Sequence, residues 1–395
     1  MTKEKFVFVE QTGEGSEAVR PSLTYWQDAW RRLRKNTLSM IGMVTIVLIL
    51  LFGFVGPKFT PYSYSDQIND YKSLPPKLEL YKIGDEYFHV SKDYNLFLVE
   101  EDGTLIRRIK VDPLKKDAIN KIYIYNYDDE QIKLDFSYNL LPTKQGYDYN
   151  MTLEYKGEEV KYPVGSKWNK MFPFGTDSLG RDILTRVMYG AQISLFVAFV
   201  ATLANLFIGV VYGSISGFEG GKVDNIMMRI VDIINSVPLV LYVILLMVWF
   251  RGNGLWNIII ALSSVYWVSM ARLVRGQMLS LKEQEFVLAA RVMGVSKSKI
   301  IFRHLIPNAI GPIIVSMAMM IPSAVFTESF LSFIGLGVSA PMASWGTLAN
   351  NALAGLTTYP YQLFFPAMAI AITMLAFNFI GDGLRDALDP RLRKG

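Results

Sequence analysis

Cysteine is absent from all 395 residues, and histidine occurs only as His89 and His304. A disulfide scaffold, a thiolate metal site and a cysteine nucleophile are thereby excluded, and a histidine-rich metal centre with them. Charge is also scarce: 19% of residues are charged, against about a quarter in an ordinary soluble domain. Gly220-Gly221-Lys222 looks like the end of a phosphate loop. However, Val223 replaces the required Ser or Thr, and Ser216 replaces the first glycine. No His-Glu-x-x-His zinc helix occurs, and no catalytic constellation. The chain is therefore expected to be no enzyme and to carry no cofactor or metal of its own.

Apolar sequence is abundant: 51% of residues are hydrophobic, and mean hydropathy is +0.25. Six runs carry no charge, at roughly residues 36–57, 191–217, 233–250, 254–271, 305–327 and 359–381. A helix needs about 20 apolar residues to cross a hydrocarbon core of about 30 Å. One charge at its centre costs about 2.5–3.5 kcal/mol even on the lenient insertion scale. Six clean runs predict an α-helical membrane protein with six transmembrane helices, embedded in a lipid bilayer.

The flanks predict the orientation. Arg31, Arg32, Arg34 and Lys35 precede the first run. Arg272, Arg275, Lys282, Arg291, Lys297, Lys299 and Arg303 lie between the fourth and fifth, and Arg385, Arg391, Arg393 and Lys394 follow the sixth. The opposite-side loops hold Arg251 and no Lys or Arg between Glu328 and Pro360. The positive-inside rule then puts both termini in the cytoplasm of a multi-pass protein. The long polar lead-in, with no small-residue cleavage site after the first run, argues against a cleaved signal peptide. Residues 1–36 are read as a cytoplasmic N-terminus. In it Trp26, Trp30 and Leu33 recur at i, i+4, i+7, as an interfacial amphipathic helix requires.

Residues 37–57 make the first span, and from 58 to 170 the composition changes. Tyrosine and charge rise, and strand-like alternation appears in 121–125 and 131–136. Asp102-Gly103 and Lys156-Gly157 each carry a two-residue hairpin signal. This stretch is expected to be an inserted extracytoplasmic β-rich domain. His89 has no metal-ligand spacing around it and reads as an ordinary strand or surface residue.

Residues 171–395 hold the remaining spans and a cytoplasmic loop, 274–308. In that loop Phe286, Ala289, Ala290 and Met293 recur at i, i+3, i+4, i+7. Gly294 is placed to end the helix in a left-handed conformation. Ser296 is placed to cap a second short helix over 297–305, and Pro307 falls near the start of the fifth run. Two short helices meeting at a glycine corner suit a groove on a soluble partner.

At these residues the chain resembles the inner-membrane permease subunits of binding-protein-dependent ABC importers. Their signature runs Glu-Ala-Ala, three residues, Gly, nine residues, Ile-x-Leu-Pro. Ala289, Ala290, Gly294 and Pro307 match it, while Leu288, His304 and Ile306 depart from it. Glu283 and Glu285 lie near enough to offer the carboxylate that Leu288 lacks. The stretches 31–42, 174–190, 328–337, 341–346 and 378–391 are similar to the C-type subunit of oligopeptide, dipeptide and nickel permeases. The resemblance covers about residues 20–57 and 172–393, leaving the β-rich insert outside it.

The resemblance implies a type I ABC importer permease fold. It also implies a heteromeric complex with a second homologous permease subunit, two cytoplasmic ATPase subunits that hold ATP and Mg, and an extracytoplasmic peptide-binding protein. No nucleic-acid partner is expected. The coupling residues would be Glu285, Ala289, Ala290, Gly294 and Pro307, and the cargo peptides, with oligopeptides favoured over dipeptides or nickel chelates.

Three further charged features attract attention, two acid–base pairs and a lone acid. Asp177–Arg181 and Asp182–Arg186 are i, i+4 pairs with the acid first. They read either as a self-neutralised helix end or as a gate or a contact with the binding protein. Glu328, an acid at the end of an apolar run, is a pathway candidate or a cap. A secondary transporter and a membrane receptor are the competing classes. The first lacks its inverted repeat and intramembrane acids within the six runs, and the second leaves the two-helix loop unexplained.

Overall fold

The computed structural model describes residues 24–138, 140, 147–250 and 254–389. Residues 1–23 of the lead-in, Arg251, Arg391, Arg393 and Lys394 lie outside the described residues. The first described helix is α1 (Tyr25–Lys35), closed at its N-terminus by a reciprocal capping box. Thr24 Oγ1 accepts from the Gln27 amide at 3.4 Å, and Gln27 Oε1 accepts from the Thr24 amide at 3.0 Å. Asn36 separates α1 from α2 (Thr37–Phe54) and caps the latter through the Ser39 amide. Trp26 and Trp30 stay half exposed, as an interfacial face needs. Leu33 does not join them: it is buried beside Gly383, because α1 packs against the last helix through that side.

Ten strands follow among the described residues: β1 (Lys77–Ile83), β2 (Glu86–Val90), β3 (Leu96–Val99), β4 (Leu105–Ile109), β5 (Val111–Asp117), β6 (Ile122–Tyr127), β7 (Glu130–Asp135), β8 (Thr152–Tyr155), β9 (Glu158–Val160) and β10 (Gly165–Trp168). They form two antiparallel sheets of order β10-β1-β2-β3-β4 and β5-β6-β7-β8-β9. Phe88, Leu96 and Ile109 of the first sheet share a core with Tyr125, Ile132 and Leu153 of the second. The other face of the first sheet covers Leu74 and Phe172.

The turns follow backbone chemistry. Lys156-Gly157 joins β8 to β9 with both φ angles positive, +52° and +83°. Asp128-Asp129, which carries no glycine, makes the same kind of connection between β6 and β7. The Asp102-Gly103 hairpin forms, but its loop covers residues 100–104 because β3 and β4 lose register at Val99. His89 sits on β2 as a buried residue, not a surface one.

After α2, the first apolar helix, the bundle resumes at α3 (Ile183–Glu219), 37 residues long. Then come α4 (Gly221–Ser236), α5 (Leu239–Trp249), α6 (Leu255–Val265) and α7 (Trp267–Leu281). After these lie the short α8 (Glu285–Val292), α9 (Lys297–Ile300) and α10 (Ile306–Asn308), then α11 (Ile310–Leu331), α12 (Trp345–Ala352) and α13 (Tyr361–Leu388).

Among the described residues, five helical stretches are long and apolar enough to cross a membrane, and a sixth exists only if α4 and α5 count as one span bent by 83°. The predicted run 233–250 is thus not one straight helix. Val237 is extended ahead of Pro238, which cannot donate to the preceding turn. Alone, the 11 residues of α5 reach only about 16 Å, half the hydrocarbon thickness. The polar residues of α4, among them Lys222, Asp224, Arg229 and Asp232, lie upstream of the apolar run.

Packing inside the bundle relies on close backbone approach. A Cβ added at Gly209, Gly213 or Gly217 would come within 2.6 Å of Met270 Cβ, 2.4 Å of the Ala271 carbonyl and 2.7 Å of the Arg275 carbonyl respectively. The three glycines are four residues apart on one stripe of α3, and α7 lies directly on it. The four-residue spacing of these glycines is visible in the sequence; the close approach of α7 is fixed only by the fold.

Candidate functional site

The corner between α8 and α9 is set by its glycine. Gly294 has φ of +75°, the left-handed region that a side chain disfavours. The Val295 amide donates to the Ala290 carbonyl at 3.1 Å, and the Gly294 amide to the Arg291 carbonyl at 3.0 Å. These are the two bonds of a Schellman termination. Ser296 occupies the next N-cap position but makes no side-chain cap bond, so its expected capping hydroxyl is not used. The second helix also differs from the predicted 297–305. Regular α geometry lasts through Ile300, and 301–305 widens into a π-turn. Pro307 has no amide proton and its ring crowds the turn before it, which a widened turn accommodates. Asn308 Nδ2 donates to the His304 carbonyl at 2.6 Å.

The apolar residues of the corner split into two sets. Val287, Ala290, Ile300, Ile301 and Leu305 are buried against Phe218, Val274 and Met278. Ala290 therefore faces inward, away from the rest of its predicted stripe. Phe286, Val292 and Met293 are 41%, 89% and 73% exposed, with Leu288 and Ala289 beside them. Glu285 opens α8 in an exposed position, and Pro307 is exposed as well.

The corner is tied to the bundle. Lys297 Nζ lies 2.8 Å from Glu219 at the end of α3, and Lys282 Nζ donates to the Gly217 carbonyl at 3.1 Å. The Arg291 guanidinium sits 5.1 Å from the centre of the Phe218 ring. Arg275 grips Asp224 in a two-point pair, Nε–Oδ1 2.6 Å and Nη2–Oδ2 2.5 Å. None of these partners was legible in sequence, since each joins residues far apart in the chain.

At the other end of α3, the predicted cluster is rearranged. Asp177 pairs with Arg181, Oδ2 to Nε at 2.7 Å. Asp182 does not pair with Arg186. It is the N-cap of α3, accepting from the Leu184 amide at 3.3 Å and the Thr185 amide at 2.9 Å. Burial pushes the Asp182 carboxyl up, against the pull of those donors. Arg186 instead approaches Asp177, at 3.5 Å.

Glu328, in α11, is 0% exposed. Ser194 Oγ and Ser332 Oγ donate to its carboxylate at 2.8 and 2.7 Å, and Ser329 Oγ lies at 3.4 Å. Ser194 also accepts from the Trp345 amide at 3.3 Å, and Trp345 Nε1 donates to the Val187 carbonyl at 2.9 Å. The carboxylate therefore ties α3, α11 and α12 together. The serines at 194, 329 and 332 were its unread signal.

A multi-pass helical bundle with a glycine-cornered helix pair at one end defines a membrane permease component. Comparison with known proteins agrees. Residues 209–394 match the family described as the binding-protein-dependent transport system inner membrane component. Residues 24–76 match the N-terminal TM domain of oligopeptide transport permease C. The chain is 41% identical to the oligopeptide transport system permease protein OppC of Bacillus subtilis, over 97% of this chain and 95% of that one. It is 39% identical to the dipeptide transport system permease protein DppC of the same organism, over 98% and 92%. Among solved structures, an inward-facing MetNI methionine ABC transporter aligns with TM-score 0.44 and 19% identity, over 52% of this chain and 96% of that one.

The chain belongs to the family of ABC importer inner-membrane components, in its oligopeptide/dipeptide permease C branch. The likeness also reaches further than the sequence motifs implied: at 97% coverage of this chain, it includes the β-rich insert.

Proposed function

We propose that this chain is one transmembrane subunit of an ATP-driven peptide importer. Its partners are a homologous permease, two ATPase subunits that bind ATP and Mg, and an extracytoplasmic peptide-binding protein. Both termini and the 274–308 loop face the cytoplasm of a bacterial cell, the β-rich domain faces outward, and oligopeptides are the favoured cargo. The observation that carries this reading is the bare apolar corner of Phe286, Val292 and Met293 on a rigidly anchored helix pair. Such a patch on a polar face suits a groove in a soluble protein. The residues in named roles are Glu285, Ala289, Ala290, Gly294 and Pro307.

In this mechanism ATP binding draws the ATPases together, and the seated corner passes the motion to α3 and α7. Moving a two-state equilibrium from 1:99 to 99:1 takes about 5.5 kcal/mol of differential binding. Only a stiff corner delivers that. Gly294→Asp puts a side chain at a positive φ, which costs roughly 1–2 kcal/mol, and a negative charge in the patch. The complex is expected to assemble and hydrolyse ATP while uptake falls at least about tenfold. Undiminished uptake would remove the coupling role. Uptake of labelled peptides of graded length distinguishes oligopeptide from dipeptide import.

A further inference from the structure

Arg186 stands in the first turn of α3, 2% exposed. Neither its Nε nor its Nη1 has a hydrogen-bond partner. The nearest acid is Asp177, whose Oδ2 lies 3.5 Å from Nη1. That oxygen is already bonded by Arg181 Nε, and Asp177 Oδ1 accepts from the amides of Leu179 and Arg181. One carboxylate therefore stands against two guanidiniums. Asp182, the next acid along the chain, is committed to the cap of α3.

Two cavities share this arginine, of about 220 and 320 Å3. Arg181 and Arg186 line both. Apart from Asp177 in the smaller cavity, the remaining polar lining is neutral: Ser178 and Gln362 on one side, Ser332, Thr347 and Asn350 on the other, with Asn351 common to the two. Asp182 lines neither, and Asp177 only the smaller. Residues 329–360, which supply one wall, hold no charged side chain. A buried guanidinium with open donors is costly unless an acceptor arrives. Its planar fork matches a carboxylate better than any other common anion except phosphate.

We propose that Arg186 and Arg181 form a carboxylate site, occupied in turn by the C-terminal carboxylate of each peptide that crosses. The proposal rests on the peptide-import reading above. Enclosure favours a chain end as occupant. An acidic side chain on the surface of a docked protein would need Arg186 in the open, and it is 2% exposed. A cavity of this size admits the last residue or two of an extended peptide. A terminal carboxylate is also the one negative group that peptides of every sequence carry, which suits an importer of many cargoes.

The test uses the full transporter with its partners in proteoliposomes. Uptake of one labelled peptide is measured as the free acid and as the C-terminal amide. The ratio is divided by the ratio of affinities of the isolated binding protein for the two forms. The wild-type complex should retain an acid preference of about tenfold or more after that correction, the effect of one charge-assisted bond. Arg186→Gln should bring the corrected ratio close to one, and Arg186→Lys should fall between. A corrected ratio near one in the wild type overturns the site. So does wild-type preference in Arg186→Gln, which would mean that the cavity holds only water. If Arg186→Gln does not assemble, Arg181→Gln gives the same readout, and an undiminished acid preference there overturns the site equally. Failure of the wild-type complex to take up either form would instead remove the peptide-import reading itself.

Discussion

His89 keeps a neutral ring inside the β-rich domain. Its Nδ1 lies 2.9 Å from the Glu79 carbonyl, its Nε2 has no partner, and burial pulls it down to about 4. Below about pH 6.5 the unfolded chain takes up a proton that the folded chain refuses. The domain is therefore at full stability above that pH and loses it as pH falls toward 4, by up to about 3 kcal/mol. Hydrogen exchange of β2 and β3 in the whole chain should accelerate across this window, and His89→Gln should flatten the dependence. An equally steep profile in the variant would assign the loss to other groups. Sequence could show that His89 lacks metal-ligating neighbours; it could not show that a strand turns it inward. Gly294 was legible because a helix needs that residue there. Arg186 was not, because what distinguishes it is missing partners, and these are fixed only by the fold around it.

At the scale of elements, apolar run length locates the spans, while polar residues outside a run decide where its helix bends. With Pro238 at the junction and the charges of α4 upstream, the chain turns by 83°. The Gly209–Gly213–Gly217 stripe decides how closely α3 lies on α7, and through α7 it meets the anchored corner. Gly213→Leu forces a side chain into the Ala271 carbonyl, which a Cβ alone already approaches to 2.4 Å. Overpacking of this kind costs about 1–3 kcal/mol, and more where backbone must move. The detergent-solubilised complex should lose heat resistance, and uptake should fall with it. Gly213→Ala should be milder. Wild-type thermal stability in Gly213→Leu would show that the helices separate without penalty.

For the molecule as a whole, the β-rich domain is joined to the bundle by a clamp that lies outside the sheets. The Ser73 amide donates to the Asp177 carbonyl at 2.9 Å, and the Leu74 amide to Thr176 Oγ1 at 2.8 Å. Tyr361 Oη and Gln362 Nε2 donate to the Thr176 carbonyl at 3.0 and 3.1 Å, and Phe174 stacks on Phe365 at 3.9 Å. Lys77 and Trp168 are paired across β1 and β10, so the two ends of the strand-bearing stretch are neighbours. Replacing residues 77–168 by a short glycine-serine linker should keep the hydrogen bonds of the clamp and the bundle, while uncovering Leu74 and Phe172. The shortened subunit should assemble and support basal ATPase activity. If the domain receives the binding protein, stimulation by that protein and uptake should both fall at least about tenfold. Full uptake would leave it a passive spacer.

The uncovered ridge of Phe286, Val292 and Met293 also bears on how the cell must make this protein. A copy synthesised without its companions carries a sticky surface into solvent, where chaperones and proteases compete for it. If the ATPase subunits cover this ridge, as proposed, their supply sets how many copies persist, and surplus copies should be short-lived in a pulse-chase.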